Sequence, residues 1–174
     1  IKPFLPPGVS TAPAVDPVNG RRPKAASGSE PPLRLCLLTG SYPPTEYDGV
    51  GRLTHLMAQG LFELGHTVHV IARAEQEKVS FYDGAFVHRI PFRTDRYARY
   101  RDYPTLHSTL NYSHAVHERV KRLILNEGVQ LVDWALWQYQ GLVTLASGEV
   151  PVVVRLLTGE RQVASVHRDQ SEDL

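Results

Sequence analysis

The chain has 174 residues, of which 42% are hydrophobic and 21% charged, and its formal net charge is +1. This composition is typical of a soluble globular domain, and the near-neutral charge excludes a general electrostatic attraction to nucleic acid or membranes. The single Cys36 excludes a disulfide framework, and no apolar run approaches the roughly 18 residues of a membrane span. We therefore expect a cytoplasmic protein with one main domain.

The N-terminal segment 1–32 differs in composition from the rest of the chain. It is rich in Pro, Gly, Ser and Ala and has hardly any apolar periodicity, which predicts a disordered tail or an interdomain linker. The ordered domain is predicted over 33–174. Because the chain begins at Ile1 and its last predicted helix is cut short, we expect a domain truncated at its C-terminal end and excised from a longer protein.

Strand and helix patterns alternate from Leu33 onwards. Short continuous apolar runs predict strands buried on both faces, and apolar residues at intervals of three and four predict amphipathic helices. Gly65 and Gly128 follow two of these helices and are expected to end them. This alternation predicts an α/β fold, an open, doubly wound parallel sheet of the Rossmann-like type. The predicted strands are 33–39, 67–72, 85–90, 129–135 and 150–156; the predicted helices are 52–64, 105–127, 139–147 and 162–168.

The first strand leads into a glycine-containing helix start, which indicates a ligand site. Ligands of such sheets bind beyond the carboxyl ends of the strands, and a helix start offers unpaired N–H groups to an anion. A dinucleotide site is excluded because 49–54 lacks the third glycine and Arg73 stands where a ribose-binding carboxylate is needed. A P-loop is excluded because no Gly-Lys-Ser/Thr occurs.

Several pieces of the segment together resemble a known family. After the first strand come Tyr42-Pro43-Pro44, Asp48-Gly49-Val50-Gly51-Arg52 and Leu64-Gly65-His66-Thr67-Val68, and the fifth predicted strand contains Pro151-Val152-Val153-Val154-Arg155-Leu156. This combination resembles the N-terminal domain of retaining GT-B glycosyltransferases. It is most similar to the glycosyltransferase family 4 (glycogen synthase-like) group, from Leu33 to about Arg168.

The resemblance implies a function for the whole protein. It would move a sugar from a nucleotide-diphosphate donor to a carbohydrate or lipid-linked acceptor, without a metal or other cofactor. Gly49, Val50, Gly51 and Arg52 would form the loop against the donor diphosphate. The C-terminal nucleotide-binding domain of the same protein would complete the cleft, so no catalytic residue is assigned here and this fragment alone is expected to be inactive.

Two residues depart from the family pattern and favour an alternative. Asp48 stands where the family usually has a glycine, and its carboxylate would repel a diphosphate unless it turns outward or caps the helix. Leu157 stands where the family often carries a histidine. The alternative is a non-catalytic Rossmann-like binding or scaffold domain. A response-regulator-like domain is disfavoured because no acidic pair follows the first strand.

Polar and aromatic residues near the later strand ends are the predicted acceptor or sugar pocket. Trp137 and Gln138 follow the fourth strand, and aromatic faces with amide partners suit sugars. Arg155 lies within an apolar strand and is expected to face the cleft or to pair with a buried acid. Thr158, just beyond that strand, completes the predicted pocket, whereas Trp134 is expected in the core.

Two further groups of residues have a less specific interpretation. The segment 89–103 interleaves arginines with aromatic residues; we expect a solvated loop or contact with an anionic acceptor or the inner face of a membrane, and no nucleic acid partner. His107, His114 and His117 share the longest helix without the spacing of a metal site, and a solvated flank is expected.

Overall fold

The computed structural model describes residues 31–45, 48–91 and 95–157. Within them, strands and helices alternate as the sequence predicts, with one additional strand. Short 3-10 turns lie at Ala98–Tyr100 and Trp137–Tyr139. The strands are β1 (Arg34–Thr39), β2 (Thr67–Arg73), β3 (Lys78–Tyr82), β4 (Ala85–Ile90), β5 (Leu131–Ala135) and β6 (Val152–Arg155); the helices are α1 (Gly49–Glu63), α2 (Pro104–Glu127) and α3 (Leu142–Ser147).

These strands form one mostly parallel sheet in the order β3-β4-β2-β1-β5-β6. Leu38 of β1 has Ile71 of β2 as its neighbour on one side and Trp134 of β5 on the other. From β1 the chain first builds outwards to β2 and β4, and then crosses back to β5 and β6 on the other side of β1. The strand order therefore switches between β1 and β5, as in a Rossmann-like fold.

The expectation of a wholly parallel sheet is wrong at one edge. β3 runs antiparallel to β4, and the two are joined by Asp83 and Gly84. Both joining residues have positive φ, 46° and 88°, which is the geometry that an Asp-Gly hairpin turn provides. A Cβ on Gly84 would lie 2.7 Å from the Phe62 ring, so the turn also packs closely against α1.

The core lies on both faces of the sheet. α1 covers one face, which includes Leu37 and Val70, and α2 covers the other, which includes Leu38 and Ile71. Alternate residues of β1 and β2 thus belong to opposite cores, which explains their continuous apolar sequences. Cys36 is fully buried in β1, and its burial raises the pKa of the thiol.

Helix boundaries differ from the predicted ones where capping decides them. α1 begins at Gly49 because Asp48 caps it, and it ends before Gly65, whose φ is 92°. The predicted helix over 139–147 is instead a 3-10 turn followed by α3. Most of the predicted tail 1–32 and the predicted helix 162–168 lie outside the described residues. No helix in the described part of the chain is both long and apolar enough to cross a membrane.

Candidate functional site

The candidate site is the edge of the sheet where β1 and β5 end. Two segments leave this edge, residues 40–45 with residue 48 after β1 and residues 136–141 after β5, and we call them the β1 loop and the β5 loop. They meet at Gly40, where a Cβ would lie 2.8 Å from Gln138 Oε1. Because the strand order switches between these two strands, a ligand crevice is expected between the two loops, and we call it the switch-point crevice.

The β1 loop is held by hydrogen bonds around Asp48. Asp48 Oδ1 accepts from the Gly51 N–H at 2.8 Å and from Ser41 Oγ at 3.0 Å. Ser41 Oγ in turn accepts from the Asp48 N–H at 3.1 Å, which closes the loop onto the helix start. Of the two orientations expected for Asp48, the structure has the helix cap, and the carboxylate offsets part of the positive end of the helix dipole.

Arg89 of β4 also holds the β1 loop in place, through two hydrogen bonds to its backbone. Its Nη2 donates to the Tyr42 carbonyl at 3.2 Å and to the Pro43 carbonyl at 2.8 Å. Arg89 is only 8% exposed, so it belongs to the interior and not to the surface segment 89–103 in which the sequence placed it. The Arg89 guanidinium is therefore hydrogen-bonded to two backbone carbonyls of its own chain, and not to the anionic partner that the sequence suggested for this segment.

The residues predicted to bind the donor form the first turn of α1. Gly49, Val50, Gly51 and Arg52 have helical conformation and do not form a separate loop. The Gly51 N–H donates to Asp48, whereas the Gly49 and Val50 N–H groups have no hydrogen-bond partner within the described residues. Apart from its chain neighbours and the backbone of its own helix, no atom of the described residues lies within 4 Å of where a Gly49 Cβ would stand, so a ligand can approach the backbone closely there.

The β5 loop is strained, unlike the β1 loop. Gln138 and Tyr139 have φ of 60° and 52°, and two successive non-glycine residues in the left-handed region cost roughly 1 kcal/mol or more each. Tyr139 is partly buried against the core on the α2 face, and Gln140 is 4% exposed. Gln138 itself is exposed, and its Oε1 accepts from Gln140 Nε2 at 3.2 Å. Such strain persists only where the surroundings impose it, and it is typical of functional sites.

Trp134 and Gly141 secure the base of the β5 loop. Trp134 is 1% exposed, as expected for a core residue. A Cβ on Gly141 would lie 2.6 Å from Trp134 Nε1, so the chain passes over the indole where only glycine fits. Trp137 begins the 3-10 turn at the same edge of the sheet as Gln138.

Arg155 at the end of β6 forms a buried ion pair. Its Nε lies 2.7 Å from Asp133 Oδ1, and its Nη2 donates to Thr54 Oγ1 of α1 at 3.4 Å. Burial raises the pKa of the Asp133 carboxyl, while the Arg155 charge opposes that shift. Pairing with a buried acid is one of the two placements expected for Arg155. Arg155 Nη1 has no hydrogen-bond partner in the described structure.

The three histidines of α2 are not a solvated flank, which corrects the expectation. His117 is 7% exposed, and the His114 side chain is 13% exposed. His107 Nε2 lies 2.6 Å from Asp95 Oδ1 and anchors the segment before α2. No group of three or more His, Cys, Asp or Glu side chains in the described residues is placed to hold a metal ion.

Most residues of the segment 95–103 are exposed, whereas Tyr97 and Tyr100 are partly buried. Arg99 lies over the Tyr100 ring at 4.8 Å, and Arg101 pairs with Asp95. Tyr103 is 65% exposed. Membrane or acceptor contact by this surface stays a prediction.

The predicted helix start, Gln138 and Arg155 all lie at the same edge of the sheet, where the parallel strands end. Thr158 lies outside the described residues. Sequence reasoning missed Gly40, Gln140 and Asp133; a lone acid in an apolar strand was the signal for Asp133.

No protein-family model matches the chain, and no curated protein matches it significantly.

Proposed function

We propose that this chain is the N-terminal, acceptor-side domain of a retaining glycosyltransferase of GT-B architecture. The enzyme would move a sugar from a nucleotide-diphosphate donor to a carbohydrate or lipid-linked acceptor. One observation carries the proposal: the strand order switches between β1 and β5, with a glycine-rich helix start on one side and a carboxamide loop on the other. The sequence resemblance to glycosyltransferase family 4 supports the same reading.

The start of α1 supplies the donor side of the crevice. The Gly49 and Val50 N–H groups are free to donate within the described structure, and the bare Cα of Gly49 admits a phosphate oxygen close to the backbone. Asp48 weakens the attraction, but its carboxylate is engaged by Ser41 and Gly51. Arg52 in the same turn adds a positive charge that partly compensates for Asp48.

The β5 loop supplies the sugar side. A carboxamide such as that of Gln138 offers both donors and acceptors, which matches the hydroxyl groups of a sugar. In a two-domain enzyme the C-terminal domain closes over this crevice, excludes water and leaves the helix start facing the leaving diphosphate. The nucleotide and the catalytic machinery would be held largely by that second domain.

Two observations favour a second candidate, a non-catalytic binding or scaffold domain of the same fold. The Asp48 carboxylate lies at the helix start where an anionic donor would sit. Leu157, which is 46% exposed, stands after β6 and has no group that donates or shuttles a proton. Such a domain would bind a neutral polyhydroxyl ligand without transferring it.

A transfer assay on the full-length protein separates these candidates. UDP-glucose and GDP-mannose are each incubated with the protein and an oligosaccharide acceptor, and proton NMR follows the anomeric signals of donor and product. A product that keeps the donor's anomeric configuration supports the enzyme. Ligand binding without any product supports the scaffold, and an inverted product contradicts the proposed reaction class.

A further inference from the structure

The side of α1 that faces away from the sheet is apolar. Leu56 and Leu64 are 57% and 56% exposed, and Leu53 is 37% exposed. None of these leucines belongs to the core on either face of the sheet, whereas Met57 and Leu61 of the same helix pack partly against it. A surface helix normally turns polar and charged residues outwards, so exposed leucines on one side of it indicate an interaction surface.

Gly60 forms a notch in the middle of this surface. It follows Leu56 by one helical turn and lies between Leu53 and Leu64 on the same side of α1. Apart from its chain neighbours and the backbone of its own helix, no atom of the described residues lies within 4 Å of where a Gly60 Cβ would stand. One copy of the chain therefore leaves room for a side chain here, although glycine destabilises a helix interior. Two helices can approach each other closely where the residue at the contact is small.

Two opposite charges lie on one flank of the same surface. Arg52 is in the first turn of α1, and Glu63 is its last residue. They are about three helical turns apart, so they lie on the same side of the helix. Both are exposed, and neither side chain has a hydrogen-bond or ion-pair partner within the described residues.

We propose that the outward side of α1 is the contact between two copies of this chain, which pack α1 against α1 in antiparallel orientation about a twofold axis. A twofold contact must be self-complementary, because each residue meets its counterpart's partner twice. When Leu56 of one copy lies at the partner's Gly60, the partner's Leu56 lies at Gly60 of the first copy. The large and small residues of the surface therefore match each other.

The charges fit the same arrangement. In the register that joins Leu56 to the partner's Gly60, Arg52 lies within about one residue's rise of the partner's Glu63, and the reverse pair forms at the other end. Parallel helices would instead place like charges side by side. The charges thus favour the antiparallel orientation and a second copy as the partner.

The proposed contact is independent of sugar transfer, and it should be weak. One side of a single helix is small compared with the interfaces of stable dimers, so we expect a micromolar dissociation constant. Sedimentation equilibrium of the full-length protein over a concentration series, without any ligand, should show a reversible equilibrium between monomer and dimer. A native protein that stays monomeric throughout would overturn the proposal.

Gly60→Leu tests the notch. The leucine fits the fold of one copy but fills the place of the partner's Leu56, so the dimer should be lost. Urea denaturation should show a monomer at least as stable as the native one, because leucine favours a helix more than glycine does. Undiminished dimerisation of the folded variant would overturn the proposal.

Reversing the charges tests the partner and the orientation. Arg52→Glu and Glu63→Arg each place like charges at both ends of the contact and should raise the dissociation constant by about tenfold or more. Each substitution introduces a charge that the helix dipole favours at its end of α1, so both variants should fold even if Gly60→Leu does not. The matched control Arg122→Glu changes an exposed charge on α2 and should dimerise as the native protein does.

An equimolar mixture of Arg52→Glu and Glu63→Arg restores opposite charges at both ends of the contact. Sedimentation should then show heterodimers of nearly native affinity, although each variant alone dimerises poorly. No ligand is present, so the donor role proposed for Arg52 does not enter the measurement. A mixture that dimerises no better than its components would overturn the antiparallel contact.

Discussion

The two loops that border the switch-point crevice are built in opposite ways. The β1 loop is held by hydrogen bonds of the Asp48 cap, of Ser41 and of Arg89 to backbone carbonyls. The β5 loop holds two successive residues in the left-handed region and presents an exposed carboxamide. The comparison teaches that two loops at one sheet edge can differ in energy. The β1 loop is stabilised by its hydrogen bonds, whereas the backbone conformation of the β5 loop lowers the stability of the fold.

The largest expected effect concerns the ion pair at the same sheet edge as both loops. Arg155→Met leaves the Asp133 carboxyl buried without its partner, and we expect the free energy of unfolding to fall by about 3–5 kcal/mol. Urea denaturation measures it. The double variant Arg155→Met/Asp133→Leu should recover much of the loss, and a single-variant loss below about 1 kcal/mol would show that Asp133 does not depend on Arg155 for its stability in the fold.

Lowering the pH should destabilise the fold through a pair of histidines that lies away from both loops. His69 Nδ1 lies 3.1 Å from His88 Nε2 beneath α2. Burial, with a smaller effect of Arg34, lowers the pKa of His69 to about 4. Burial, followed by His69 and Arg119, lowers the pKa of His88 to about 3. Arg119 itself pairs with Glu77.

Because both folded-state pKa values lie below the ordinary value of 6.5, the unfolded chain binds more protons as the pH falls below it. The stability that the fold gains by keeping both histidines neutral is complete above about pH 6.5. It is lost as the pH falls towards the folded-state pKa values. Between pH 7 and about pH 4.5, the free energy of unfolding should fall by about 2 kcal/mol for each histidine. His69→Phe/His88→Leu should flatten this dependence in urea denaturation; an equally steep loss in that variant would contradict the assignment.

A smaller effect is expected at the β1 loop. Asp48→Ala removes the helix cap and should lower the free energy of unfolding by about 1 kcal/mol, whereas Asp48→Asn keeps an accepting oxygen and should cost less. Asp48→Asn also removes a negative charge from the helix start, so nucleotide-sugar affinity measured by calorimetry should rise. Equal stabilities of the two variants would show that Asp48 does not cap α1 in solution.

The smallest expected effect on stability lies in the β5 loop, and there the substitution should stabilise the fold. Gln138→Gly relieves a positive φ and should raise the free energy of unfolding by up to about 1 kcal/mol while weakening ligand binding. The matched control is Leu136→Gly in the same loop, where φ is −61° and glycine should destabilise. A loss of stability in Gln138→Gly would mean that the loop is not strained.

The two loops also differ in what the sequence could predict. The helix after the β1 loop follows from local rules, namely a capping residue and an amphipathic repeat, although its predicted start at residue 52 lies three residues after the observed one. The alternating strands likewise predicted the α/β class, but β3 has only a weak pattern, and its Asp83-Gly84 turn was the missed signal. The strained Gln138–Tyr139 backbone has no local signature, since non-glycine residues adopt positive φ only when tertiary packing imposes it. Gly40 and Gln140 were missed for the same reason, because their roles depend on a contact between loops nearly a hundred residues apart.

The central claim is that the switch-point crevice binds a nucleotide sugar between these two loops. Calorimetry of the full-length protein with UDP-glucose and GDP-mannose tests it most directly, alongside Gln138→Ala in the crevice and Gln130→Ala at the opposite edge of the sheet. We expect the native protein to bind at least one donor, Gln138→Ala to bind it more weakly, and Gln130→Ala to bind it unchanged. Absence of binding by the native protein, or equal losses in both variants, would contradict the account.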